Sequence, residues 1–315
     1  MIGFLARRLV SVLVTLALAS VVVFTVLEVL PGDPAQMALG TEAQEDTLAA
    51  LRREMGLDRP VLERYLGWIG GLLVLDFGRS LTYGVPVVSL VADRIQVTAP
   101  LAGLAMLMSV VIAVPLGIFA ARNHQRVGDY GVMGFAQVGI AIPSFWFGII
   151  LILLFAVWLG WFQAGGFTPW REDPVAALKS LFLPSLALAL TEAAILARVT
   201  RAAVLDTLRE DWVRTARAKG VSENGILYGH VLRNALIPVL TIGGLIFAFL
   251  LAGALVIENV FYLPGIGRLV YQGVTQRDVV VVKNVVLLVS AMVVTVNFLV
   301  DVLYALVDPR PKARA

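Results

Sequence analysis

Long apolar runs, each cut off by a short polar stretch, make up most of this chain. The first extends from Leu9 to Leu30, about the length that crosses a bilayer core, and it follows Arg7 and Arg8. Further runs extend from about Thr98 to Ala121, Val132 to Trp161, Leu181 to Val199, Ala235 to Ile257 and Val281 to Leu306. Pro115 and Pro143 fall inside two of them, which a membrane helix tolerates when neighbouring helices satisfy the freed carbonyls. Trp158 and Trp161 at the end of the third read as an interfacial aromatic anchor. The pattern predicts an all-α, polytopic membrane protein with six transmembrane helices.

One sizeable polar segment, 31–95, separates the first two spans. Leu30-Pro31-Gly32-Asp33-Pro34 ends the first span, because proline cannot donate in a helix and biases the residue before it away from one. Thr41 with Gln44 reads as a capping box for a helix to Gly56 that lines up Leu48, Leu51 and Met55. Asp58 and Pro60 open a second helix striped with Leu62, Tyr65, Leu66, Ile69 and Leu73. Together they predict a small helical cap on the outer face; the alternative is an amphipathic pair lying flat in the lipid interface.

Charge orients the spans. Arg122 and Arg126, the seven basic residues between Arg198 and Arg233, and Arg310, Lys312 and Arg314 fall on the same side as Arg7 and Arg8 when six spans are threaded. The segment 31–95 instead carries nine acidic residues against six basic ones. By the positive-inside rule both termini are cytoplasmic. No repeat or low-complexity linker interrupts the chain, so 1–315 reads as a single transmembrane domain.

With 59% hydrophobic and 15% charged residues among 315, the chain has more apolar surface than a soluble domain of that size buries. It has no cysteine and two histidines, His124 and His230, which excludes disulfides, a Cys nucleophile and a Cys/His metal site. The lysines, Lys179, Lys219, Lys283 and Lys312, never follow a glycine, so there is no phosphate-cradling Walker loop and the chain does not itself hydrolyse ATP. Net charge is only +3 and its basic residues sit in particular loops, so no nucleic-acid partner is expected.

Against this background, Asp211 to Gly220 is a charged island. It sets Arg214, Arg217 and Lys219 within one short amphipathic stretch, with Asp211 as the expected cap, Gly220 as the left-handed terminator and Ser222 capping a second helix. Trp212, Thr215, Ala216 and Lys219 share one face with small residues at its centre, where another backbone has room to approach. The island reads as a short helix offered to a soluble partner; the plainer alternative is a positive loop that only sets topology. Four carboxylates lie in or at the rim of spans and are pathway candidates: Glu28 and Glu258 near outer ends, Glu192 deeper, and Asp301 in the inner half of the last span. For Glu192 a bond to Arg198 is the structural alternative, and for Asp301 a bond to another helix.

In order and spacing, six motifs resemble a permease subunit of the peptide/nickel (oligopeptide and dipeptide) class of bacterial ABC importers. They are Leu30-Pro31-Gly32-Asp33-Pro34-Ala35, Gly56-Leu57-Asp58-Arg59-Pro60, Ile142-Pro143-Ser144-Phe145-Trp146, Arg214-Thr215-Ala216-Arg217-Ala218-Lys219-Gly220, Leu263-Pro264-Gly265-Ile266-Gly267-Arg268, and Asp301 with Tyr304 and Asp308-Pro309-Arg310. In that family a Glu-Ala-Ala motif, followed by glycine six residues after the Glu, lies in a cytoplasmic loop docked on the ATPase. The match here is Arg214-Thr215-Ala216 with Gly220, arginine replacing the Glu, inside a coupling loop over 200–234. A literal Glu192-Ala193-Ala194 has Arg198 where the glycine belongs and is a decoy. Gln163 and Lys283-Asn284 depart from the family pattern.

The resemblance implies a type I importer permease in a bacterial inner membrane, pairing with a second, similar permease. Two ATPase subunits, which bind ATP and Mg, would dock on the inner loops, and an extracytoplasmic solute-binding protein would deliver cargo. Dipeptides, oligopeptides, glutathione-like compounds, opines and nickel complexes are all within the class. An ion-coupled secondary transporter and a non-transporting scaffold are the rival readings.

Overall fold

The protein is seen here as a computed structural model that describes residues 2–29, 35–36, 44–54 and 56–307. The motifs at Leu30–Pro34 and Asp308–Arg310, and Thr41 of the expected capping box, lie outside the described residues. The chain divides into two compact units, one made of Met1–Val97 and Pro264–Val294, the other of Thr98–Leu263 and Thr295–Ala315.

In the first unit, α1 (Ile2–Val29) is a single apolar helix with most of its surface uncovered. Its C-terminal half is packed: Ser20 Oγ lies 2.8 Å from Tyr65 Oη, Phe24 stacks with Trp68 at 6.0 Å, and Glu28 pairs with Arg64. These partners belong to α3 (Val61–Leu73), which follows α2 (Glu45–Glu54). Both helices of the polar segment therefore form as expected, and α2 is terminated at Gly56 with φ of +66°. Pro60 takes the cap position of α3 without a side-chain bond, so Asp58 does not cap it. An isolated bridge between Arg79 and Pro86 closes a turn before α4 (Val87–Arg122).

The helix α4 begins well before the expected Thr98. At 36 residues it is about 54 Å long, against a bilayer core of about 30 Å, so Asp93 and Arg94 are helical where charge alone suggested a loop. After it come α5 (Val127–Ala141) and α6 (Ser144–Leu151), the latter running on as a π-helix to Trp158. The expected single third span is thus broken: α5 and α6 meet at 99° across Ile142-Pro143. Proline holds φ of −61° with an extended ψ there, removes one donor and starts the next helix, a position that suits it.

The second unit is built around α7 (Pro174–Leu208), whose alanine-rich faces are buried against α5, α6 and α10 (Leu232–Val260). Asp173 caps α7 by accepting from the N–H groups of Val175 and Ala176 at 2.9 and 3.0 Å, with Pro174 at the first helical position. Small residues permit this packing. A Cβ on Gly117 would fall 2.7 Å from the Ala197 carbonyl oxygen, and one on Gly139 would fall 2.8 Å from Ala194 Cβ. Ala193 and Ala194 of the decoy triplet are buried in this core. The remaining elements are α8 (Asp211–Ala218), α9 (Glu223–Ile226) leading through a π-turn into α10, α11 (Ile266–Thr275) and α12 (Val279–Val307). Among the described residues five helices are long and apolar enough to cross a membrane, and the bent α5/α6 pair supplies a sixth when counted as one span.

Candidate coupling site and membrane carboxylates

The charged island is α8, and almost all of it faces outward. Trp212, Arg214, Thr215, Arg217, Lys219 and Gly220 are exposed and Ala216 half-buried, while Val213 is fully buried. One fully buried apolar side chain therefore anchors the helix, and most of its remaining surface is open. Asp211 is the first helical residue and not the cap; Glu210 stands in the cap position without a side-chain bond. The acid still favours this end through the helix dipole. The other end is as the sequence predicts: Gly220 has φ of +78°, its N–H bonds the Arg217 carbonyl at 2.9 Å, and the Val221 N–H bonds that of Ala216 at 3.2 Å. This is a Schellman closure, which needs a left-handed residue.

Short links join α8 to two long helices. Arg209-Glu210 connects it to α7, and Lys219 to Ser222 connects it to α9, where Ser222 Oγ accepts from the Gly225 N–H at 3.2 Å. Arg217 donates to both carboxylate oxygens of Glu223, at 2.8 and 3.2 Å, fixing the angle between α8 and α9. That bond raises the Arg217 pKa above its ordinary value, so the guanidinium keeps its charge. The Trp212 ring meets His230 of the π-turn at 6.4 Å. From Glu223 to Val260, α9, the π-turn and α10 run on as one stretch long and apolar enough to cross a membrane.

Sequence reasoning missed a second device beside this one. Asp129, at the start of α5, is buried and accepts from Arg201 Nε and Nη2 at 2.5 and 2.6 Å and from the Gln125 N–H at 2.9 Å. His124 Nδ1 stands 3.3 Å from the same carboxylate. The expected loop beginning near Arg198 is in fact helical to Leu208, which puts Arg201 on α7 in reach of α5. Its signal in the sequence was a lone acid directly after the positive run Arg122 to Arg126.

The four membrane carboxylates behave differently from one another. Glu28 is neutralised by Arg64. Glu258 does not line a mouth: it is fully buried and accepts from Thr98 Oγ1, a structural bond within the second unit. Glu192 is half-buried on α7, with its Oε2 and the neighbouring Thr191 Oγ1 both buried and without hydrogen-bond partners. The expected bond from Arg198 to satisfy that oxygen is not made. Asp301 is half-buried on α12.

Two family models together match most of this chain: the binding-protein-dependent transport system inner membrane component over residues 113–313, and the N-terminal part of such membrane components over residues 1–102. The chain belongs to this family and is the permease subunit of an ABC importer, a multi-pass inner-membrane protein. It is 39% identical over 310 residues to a Brucella suis biovar 1 protein provisionally named a peptide transport system permease protein, covering 98% of this chain and 99% of that one. It is 40% identical over 309 residues to the glutathione transport system permease protein GsiC of Escherichia coli K12, with 98% of each covered. In fold it is similar to a chain of the inward-facing MetNI methionine ABC transporter, with a TM-score of 0.58 and 18% identity over 70% of this chain and 96% of that one. A permease of this kind works with ATPase and substrate-binding partners.

Proposed function

We propose that this permease imports short peptides, glutathione-like tripeptides included, and that α8 is the coupling helix that seats in the ATPase. The observation that carries the coupling reading is the exposure of Trp212, Arg214, Thr215, Arg217, Lys219 and Gly220 on a helix whose one buried side chain is Val213 and which is closed by a left-handed glycine. Full-length similarity to permeases named for peptides and glutathione supports the cargo class. The chain pairs with a second, similar permease. Two ATPase subunits, holding ATP and Mg, dock on α8 and its counterpart, and a binding protein delivers cargo from outside. Both termini are cytoplasmic, and this subunit carries neither cofactor nor catalytic group of its own.

Closure of the ATPase pair on ATP moves the docked helices; α7 and α10 carry that movement into the spans and alternate access follows. The rival is a proton-coupled carrier using Glu192, the one span carboxylate with a buried, unpartnered oxygen among the described residues. Reconstituted with its ATPases and binding protein, the permease should take up peptide with ATP and no ion gradient, and Glu192→Gln should retain at least part of that rate. Uptake that survives ATP depletion and collapses with a protonophore contradicts the importer mechanism.

A further inference from the structure

Lys283 and Asn284, the residues that depart from the family pattern, form part of the wall of a cavity of about 880 Å³ in the first unit. That is the size of a small-molecule site. Asn284 is part of the framework: its Oδ1 accepts from the Trp68 indole at 2.8 Å, and its Nδ2 donates to the Phe77 carbonyl at 2.7 Å. Lys283 is not so engaged. Its Nζ lies 5.5 Å from the centroid of the Trp68 ring, and it makes no ion pair among the described residues. On the facing helix, Arg64 gives Nη2 to Glu28 but leaves Nε buried without a partner. Gly67, one residue before Trp68, keeps the space open, since a Cβ there would meet nothing within 4 Å.

The charge around this space does not balance. Among the described residues that line it, Arg59, Arg64, Arg79, Arg277 and Lys283 stand with Glu28, Glu63 and Asp76, five cations to three acids. The net charge of that lining is positive, the opposite of what an amine-binding role for Glu28 requires. A half-buried ammonium in such a lining calls for an anionic oxygen, the strongest partner it finds.

We propose that this cavity is a subsite of the permease for the carboxylate end of a short peptide, with Lys283 as its donor and Trp68 and Phe24 in its lining. The proposal rests on the peptide reading above. A lipid phosphate offers the same oxygen chemistry, but the acidic Glu63 and Asp76 in the same lining favour a zwitterionic peptide, which brings an ammonium, over a phosphodiester, which does not.

The test is equilibrium dialysis of trialanine and of its C-terminal amide against the purified permease–ATPase complex, with the binding protein omitted. The free acid should bind and the amide should bind about tenfold or more weaker, as loss of a charge-assisted bond requires. Lys283→Met should show the same loss, and Lys283→Arg should restore binding; the amide comparison needs no substitution and so stands even if Lys283→Met fails to assemble. Equal affinity for acid and amide, unchanged binding by Lys283→Met, no binding of trialanine, or its complete displacement by phosphatidylglycerol would each overturn the subsite. Peptide uptake by the whole importer reads the cargo class separately. Uptake without binding to the permease overturns this inference alone, whereas an importer that takes up no peptide overturns the cargo reading beneath it too.

Discussion

Two ion pairs separate residues that hold the protein together from residues that only decorate it. Asp129 is buried and bidentate with Arg201, whereas Arg217 and Glu223 are both largely open to solvent. Removing one partner of a buried pair strands the other charge and costs about 3 kcal/mol or more, while a solvent-screened exposed pair contributes little. Asp129→Ala should therefore lower the melting temperature of the detergent-solubilised complex by several degrees, and Arg201→Lys should lower it less. Glu223→Ala should leave it nearly unchanged. If Glu223→Ala is as damaging as Asp129→Ala, burial is not what distinguishes them. Only part of this was legible beforehand. Gly220 was, because a left-handed helix end has one favoured residue type. The Asp129–Arg201 bond was not, since its partners are far apart in sequence and it depends on α7 running past its apolar stretch. The cavity around Lys283 was invisible for a like reason, since its walls come from stretches far apart in sequence, and Lys283 stood out only as a departure from a pattern.

At the scale of elements, apolar run length located every span but misjudged its ends. Hydropathy marks where lipid lies, whereas a helix continues as long as its backbone bonds close, through Pro100 and Pro115 in α4 and Pro184 in α7. So α4 starts at Val87 and α7 ends at Leu208, well beyond their apolar stretches. The break at Ile142-Pro143 was hidden because the residues on both sides are equally apolar, and nothing in that run distinguishes a tolerated proline from a bend of 99°. Orientation follows from charge, and the absence of native cysteine makes it testable. Single cysteines replacing the exposed Gln44, Asp173 and Gln276 should react with an impermeant thiol reagent applied to intact cells with a permeable outer envelope. Cysteines replacing the exposed Arg126 and Asn224 should react only after the inner membrane is opened. Labelling of Asn224→Cys in intact cells would invert the assignment and put α8 on the wrong side for any ATPase.

For the whole molecule, the central claim is that α8 is the moving contact between ATP hydrolysis and the spans. Its surroundings make the claim separable from folding. A Cβ at Gly220 meets no atom within 4 Å, so Gly220→Val loads only the positive φ, a strain on the order of 1 to 3 kcal/mol confined to the end of an exposed helix. Ala216→Trp adds volume to the close-approach face without entering the core, and overfilling a fitted contact costs about 1 to 3 kcal/mol. Arg209 lies just outside α8, and Arg209→Lys serves as the control. The decisive measurement is co-purification of the ATPase subunits with each variant, together with cargo-stimulated ATP hydrolysis in reconstituted membranes. Ala216→Trp and Gly220→Val should insert at normal abundance yet lose the ATPases or the stimulation, while Arg209→Lys keeps both. Normal assembly and coupling by Gly220→Val and Ala216→Trp would contradict the account and leave the island as a topology signal only.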